Sequence, residues 1–197
     1  LTKYVINPKY LSDDVLKTAA KYFARENSLQ LQQFLIPDVA QELGNALSQA
    51  QVKAQSIPDR FAYHEFTRLP AIAKQVGKIF ATTHEICKII SVITQKELTF
   101  EEAFWRAYTA GDYTLLHDEN AAPPGYDVIL DVTPRWDNRA CGHHSYVDGR
   151  GNELARVPVA TNALAIIKKP ATLLPFIKYV NHYAGKDRRI VLEARYA

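Results

Sequence analysis

The chain has 197 residues, 47% of them hydrophobic, which is enough for one sizeable core or a core with a small flanking layer. Its net charge of +3 is mild and its basic residues are scattered along the sequence, too weak a signal to argue for nucleic acid on electrostatics. Two cysteines without paired spacing, Cys87 and Cys141, point to a reducing compartment rather than a disulfide framework, and the longest apolar run, residues 86–93, is far too short to span a bilayer.

With no signal-peptide pattern at its start, the chain is expected to be soluble, intracellular and free of membrane. Ser12-Asp13-Asp14 reads as the start of a helix to about Ala24, with Val15, Leu16, Ala19, Ala20, Tyr22 and Phe23 on an apolar face. Leu29, Leu31 and Phe34 suit a short strand. Pro37-Asp38 then opens a second helix to about Gln51, because proline is preorganised for a first helical turn. Ile72, Val76, Ile79, Phe80, Ile86, Ile90 and Ile93 recur at helical spacing and predict a long helical stretch from Leu69-Pro70 to about Thr94. After Leu98 the pattern changes to short apolar runs punctuated by turns such as Ala110-Gly111-Asp112, Asp148-Gly149-Arg150-Gly151 and Ala184-Gly185-Lys186-Asp187. Short strands at this spacing predict a sandwich or barrel. No linker divides the two halves, so residues 1–197 are expected to form one domain: a mostly helical support region over 1–98 and a β core over 99–197.

The chemistry concentrates in Tyr113-Thr114-Leu115-Leu116-His117-Asp118-Glu119, followed far downstream by His182 and Arg189. Alternation after a strand puts His117 and Glu119 on one face. With a second imidazole from His182 they could cap one face of an iron ion and leave the other positions open. An arginine shortly afterwards could hold the far carboxylate of a dicarboxylic co-substrate through paired hydrogen bonds. Each piece also has a plain reading. His117-Asp118-Glu119 is a common polar turn, His182 a surface histidine before a turn, and Arg189 one cation among Lys186, Arg188 and Arg195. His143 and His144, beside Cys141, compete as metal ligands, but neighbours on a strand point to opposite faces and no second pair exists for zinc. They read better as a strand near the mouth of the site. Arg135, Trp136 and Arg139 are either substrate contacts or a solvated loop with one packed indole. No phosphate-binding glycine loop, serine elbow or catalytic cysteine motif is present.

The C-terminal half resembles the 2-oxoglutarate/Fe(II)-dependent dioxygenase superfamily, nearest its prolyl-hydroxylase-like branch. The resemblance runs in order through Phe104-Trp105-Arg106-Ala107-Tyr108, the stretch Gly111 to Glu119, Tyr126 to Trp136, Val157 to Ile167, Val180-Asn181-His182 and Arg188 to Tyr196. It implies a double-stranded β-helix, jelly-roll-like, with an N-terminal helical layer packed on it. It also implies an Fe(II) enzyme that uses O2 and 2-oxoglutarate, releases succinate and CO2, and hydroxylates a prolyl or other protein side chain or a small molecule. The catalytic and metal residues implied are His117, Glu119 and His182, with Arg189 and Tyr108 holding 2-oxoglutarate. Glu119 stands where the superfamily usually has Asp, so Asp118 competes with it; Arg188 competes with Arg189; and Val191 stands where a Ser is common. The substitution of Glu119 for Asp best supports the other reading of the same fold, a non-catalytic binding module.

Overall fold

The last strand displays the plan of the molecule. In β11 (Arg189–Tyr196), Ile190, Leu192, Ala194 and Tyr196 point to one side and Arg189, Val191, Glu193 and Arg195 to the other, as a two-residue period demands. The apolar side meets helices; the mixed side lines the interior of a sandwich.

The structure, a computed structural model, describes residues 5–82, 84–116 and 124–197. Helix α1 (Asp13–Glu26) carries Asp13 and Asp14 in its first turn, where they complement the helix dipole; Ser12 takes the N-cap position without a side-chain capping bond. Asn27 ends it in the left-handed region (φ 56°), its N–H donating back to the Phe23 carbonyl. Strand β1 (Ser28–Gln32) follows, then α2 (Pro37–Gln49) with proline in its first turn as expected. The stretch expected as one long helix is α3 (Ala71–Thr82) and α4 (His84–Thr94).

Between α2 and α3 lies a hairpin that sequence patterning does not announce, β2 (Val52–Ile57) and β3 (Phe61–Phe66). Both strands are exposed or half-buried, so no clean alternation marks them. The N-terminal half is therefore more than a helical support. β1 pairs with a strand of the C-terminal half and β3 pairs with another, which makes the two halves one sheet.

The remaining strands are β4 (Phe100–Tyr108), β5 (Tyr113–Thr114), β6 (Gly125–Asp131), β7 (His144–Val147), β8 (Glu153–Val157), β9 (Ala163–Lys169) and β10 (Leu174–Ile177). Eight strands form an antiparallel sheet in the order β1-β9-β6-β11-β4-β3-β2, with β5 on β3; β10-β7-β8 form a second sheet. One apolar cluster joins the outer face of the large sheet (Val128, Leu130, Leu164, Ile166, Leu192) to Leu43, Leu47, Val76, Phe80 and Ile90 of the helices. Full burial of each such side chain is worth about 1.5–3 kcal/mol. Trp105 Nε1 donates to the Ala73 carbonyl (3.2 Å) and Tyr196 Oη to the Phe80 carbonyl (2.9 Å), which fixes α3 on the sheet. A second cluster, with Tyr108, Ile129, Ala165, Ile167 and Val191 against Tyr146, Val157 and Ile177, joins the two sheets face to face. Asn162 closes the seam, accepting from Leu35 N–H (2.8 Å) and donating to the Leu35 carbonyl (2.9 Å).

Candidate functional site

Along the inner face of the large sheet the buried Arg189–Asp131 pair stands at one end, Val191 and Ile129 follow, and the more charged end carries Glu193, Arg195 and Asp127. At the charged end a cavity of about 440 Å³ opens between the two sheets. β4 contributes Glu102, Phe104, Arg106 and Tyr108 to it, all of one parity, and β11 contributes Glu193 and Arg195. The β2–β3 hairpin supplies Phe61 and Tyr63, whose rings stack with centroids 5.0 Å apart at the lip.

Glu193 is the hub of the wall. Its Oε2 accepts from Arg106 Nη1 (2.5 Å), and its Oε1 accepts from Tyr108 Oη (2.9 Å) and His144 Nε2 (3.1 Å). Burial pushes the Glu193 carboxyl up, but the Arg106 charge and the His144 and Tyr108 bonds overcome it and hold the group ionised, far below the usual carboxylate range. Burial and then the nearby Arg189 charge drive the His144 imidazole down to about 4 despite its bond to Glu193. A neutral imidazole facing an acceptor-only carboxylate must carry its proton on Nε2. That leaves His144 Nδ1 as a bare acceptor, buried and without a partner among the described residues. Arg106 lies with its guanidinium 4.8 Å from the Tyr63 ring centroid and 5.5 Å from that of Phe104, a cation–π arrangement that carries the ionic hub out to the aromatic lip.

A second group sits deeper along β6 and β9. Burial raises the Asp127 carboxyl, opposed by Lys169 and by a bond from Tyr146; burial lowers the Lys169 ammonium, opposed by Asp127. Glu102, Asp127 and Glu193 are matched on the wall by Arg106, Lys169 and Arg195, so its formal charges sum to zero.

The residues singled out in the sequence are distributed differently. His117, Asp118 and Glu119 lie outside the described residues. Thr114, three positions earlier, is on the cavity wall. His182 occupies an exposed 3-10 turn (His182–Ala184), its ring 4.4 Å from that of Tyr183 and tilted by 32°, and is not on that wall. The reason is the register of the segment before it. Val180 N donates to the Asp112 carbonyl (2.9 Å) and Ile177 N to Thr114 Oγ1 (2.7 Å), so the chain from Asp112 to Thr114 runs antiparallel to 177–180 and away from His182. Arg189 is fully buried, with Nε donating to Asp131 Oδ2 (3.2 Å) and Nη1 to the Gly142 carbonyl; it too is off the wall. Gly142 is itself in the left-handed region (φ +72°), and a Cβ there would meet Val180 Cγ2 at 2.9 Å, so this carbonyl approach needs glycine. Tyr108 is on the wall but committed to Glu193. Arg188 Nη1 donates to the Ala50 carbonyl (3.1 Å). Trp136 packs as a loop indole, donating to the Cys141 carbonyl (3.0 Å). Of the two adjacent histidines, His144 faces inward and buried while His143 is half-buried outside, as alternation predicts. The signal for Glu193 and Arg106 was present: polar residues at alternate positions of strands whose other face is apolar.

A family model described as oxoglutarate and iron-dependent oxygenase degradation C-term matches residues 64–197. The chain belongs to this family. Its fold is the double-stranded β-helix of the 2-oxoglutarate/Fe(II) oxygenases. A Pseudomonas putida prolyl-4-hydroxylase superposes with a TM-score of 0.62 at 12% identity, over 92% of this chain and 97% of that one. A prolyl hydroxylase from Trichoplax adhaerens, in complex with a hypoxia inducible factor oxygen degradation domain peptide fragment, gives 0.63 at 11%, over 93% and 89%. HygX from Streptomyces hygroscopicus, with nickel, 2-oxoglutarate and hygromycin B bound, gives 0.60 at 10%, over 91% and 86%.

Iron and oxoglutarate are the family's cofactors. Of the residues expected to hold the metal, His117 and Glu119 lie outside the described residues. Among the described residues no group of three or more His, Cys, Asp or Glu side chains is placed to hold a metal. The two side chains expected to grip oxoglutarate, Arg189 and Tyr108, are each bonded to an internal carboxylate. Among the described residues no helix is long and apolar enough to cross a membrane.

Proposed function

We propose that this member of the oxygenase family is a binding domain, whose barrel cavity receives a polar segment of a protein or a small molecule without turning it over. The observation that carries the reading is the commitment of both co-substrate contacts to carboxylates of the chain itself. Arg189 to Asp131 is a pair with both side chains at or below 1% exposure, and Arg189 does not line the cavity. The ligand would meet an aromatic lip and, beneath it, the Arg106–Glu193 pair, a combination suited to fixing orientation by a few polar bonds within an apolar mouth.

A second reading keeps catalysis, and one observation favours it: Thr114, three residues before His117 in the sequence, lines the cavity. In that reading His117 and Glu119, with His182 or another donor, hold Fe(II), and the domain hydroxylates a prolyl or other side chain, or a small molecule, with O2 and 2-oxoglutarate.

Anaerobic titration of the protein with Fe(II) and then 2-oxoglutarate separates the two. The binding domain is expected to give no saturable visible charge-transfer band and no succinate on admission of air. A band that saturates with 2-oxoglutarate and disappears in Arg189→Ala would sink the binding-domain reading and restore the enzyme.

A further inference from the structure

The charge that looks scattered in the sequence is gathered by the fold. Two short 3-10 turns, Asn138–Ala140 and His182–Ala184, pack together away from the cavity. Asn181 N donates to the Ala140 carbonyl (3.0 Å), Asn181 Nδ2 to the Arg139 carbonyl (2.7 Å), and Cys141 bridges to Val180. The first segment, 134–142, contains Arg135, Asp137 and Arg139; the second, 178–188, contains Lys178, Lys186, Asp187 and Arg188. Five cations against two carboxylates leave an excess of three, equal to the net charge of the whole chain. Arg135 and Arg139 pair with Asp187 and Asp137, which leaves Lys178, Lys186 and Arg188 as the excess.

The same end exposes aromatic surface. Tyr179 is 54% and Tyr183 46% exposed, high for side chains of this size. Arg139 lies 4.4 Å from the Tyr183 ring centroid, and the His182 ring lies at 4.4 Å, tilted 32° to the same ring. Asp137 holds Arg139 in that position through three side-chain bonds of 2.6–3.1 Å. A tyrosine flanked by an arginine and an imidazole is ordered before any partner arrives, and ordered tyrosine and arginine are the residue types that dominate protein interfaces.

We propose that this surface is a docking site for an acidic segment of a partner protein. The excess of cations sets the sign of the partner. The size of the excess sets its class: three charges are too few for a phosphate backbone, whose binding rests on neutralising many phosphates. A polypeptide needs only the ring edge, the hydroxyl and the cations around it. The inference stands apart from the function of the cavity, since none of these residues lines it.

The test uses the whole chain and a fluorescently labelled poly-L-glutamate, with an oligothymidylate as the competing polyanion. Poly-glutamate is expected to bind saturably, with affinity falling as salt rises. Lys178→Glu with Lys186→Glu should weaken it roughly tenfold, since each exposed pair is worth several tenths of a kcal/mol and reversal doubles the change. Tyr183→Ala, which leaves the charge intact, should weaken it roughly fivefold. Reversal of Lys17 and Lys21, exposed on α1, should leave it unchanged. Absence of binding, an equal loss in the α1 variant, or tighter binding of the oligothymidylate would each overturn the proposal. Circular dichroism of the variants checks that they remain folded, which the exposure of every substituted side chain favours.

Discussion

The two faces of β11 carry different burdens although they belong to the same eight residues. Toward the helices, Ile190, Leu192, Ala194 and Tyr196 are nearly or wholly buried among apolar partners, and Tyr196 satisfies its hydroxyl on a helix carbonyl. Toward the sandwich interior, Arg189 and Glu193 are sequestered with Asp131, Arg106, Tyr108 and His144. Dispersion and hydrophobic transfer on the first face tolerate small adjustments of shape. The second depends on every charge keeping its partner, because a buried ion left alone has no compensating solvent. A fold that only needed stability would have filled both faces alike; the ionic interior marks the side on which specificity resides.

The comparison is broken most severely at Arg189. Arg189→Ala strands Asp131 in the interior and should cost about 3–5 kcal/mol in urea denaturation. The double variant Arg189→Met with Asp131→Leu should recover most of that loss. Failure to recover would show that the pair does more than neutralise itself, through the Gly142 carbonyl that Arg189 also holds. On the opposite face Leu192→Ala should cost about 3 kcal/mol by cavity formation. It should leave ligand binding in the cavity unchanged, which separates the two faces by function as well as by energy.

The smaller effect is in pH. The His144 imidazole titrates near 6.5 when unfolded and is held down to about 4 in the fold, so between those values the unfolded chain binds the extra proton. Stability therefore falls as pH drops through this window, by about 2 kcal/mol between pH 7 and pH 5 from this group. Denaturation curves at the two pH values should show this slope in the native chain and a flatter one in His144→Gln. An equal slope in both would assign acid sensitivity to the carboxylates instead.

Periodicity made much of this legible. Helix α1, α2 with its proline start, the last strand and the change from helical to strand spacing near Leu98 are all in the residue pattern, because amphipathic elements must show one face to a core. The β2–β3 hairpin was not legible, since its strands are shallowly buried and its contribution, Phe61 and Tyr63 at the cavity lip, depends on pairing with β4 and β5. The site was legible only in part. Tyr108 and Arg189 do face inward as strand parity requires, yet which partner each one takes is not a property of spacing. His182 stands in an exposed turn, and its expected partners His117 and Glu119 lie outside the described residues.

By itself the sequence determined the helices, a β sandwich or barrel and the polar parity of β4 and β11 through local periodicity, and its ordered motifs carried the resemblance that implied the family and its double-stranded β-helix, because both depend only on neighbours along the chain. The tertiary structure decided that Glu193 collects Arg106, Tyr108 and His144, that Asp131 claims Arg189, and that scattered cations meet at one end. Those outcomes depend on antiparallel register between strands far apart in sequence, where a shift of one residue would exchange every partner and reverse every face.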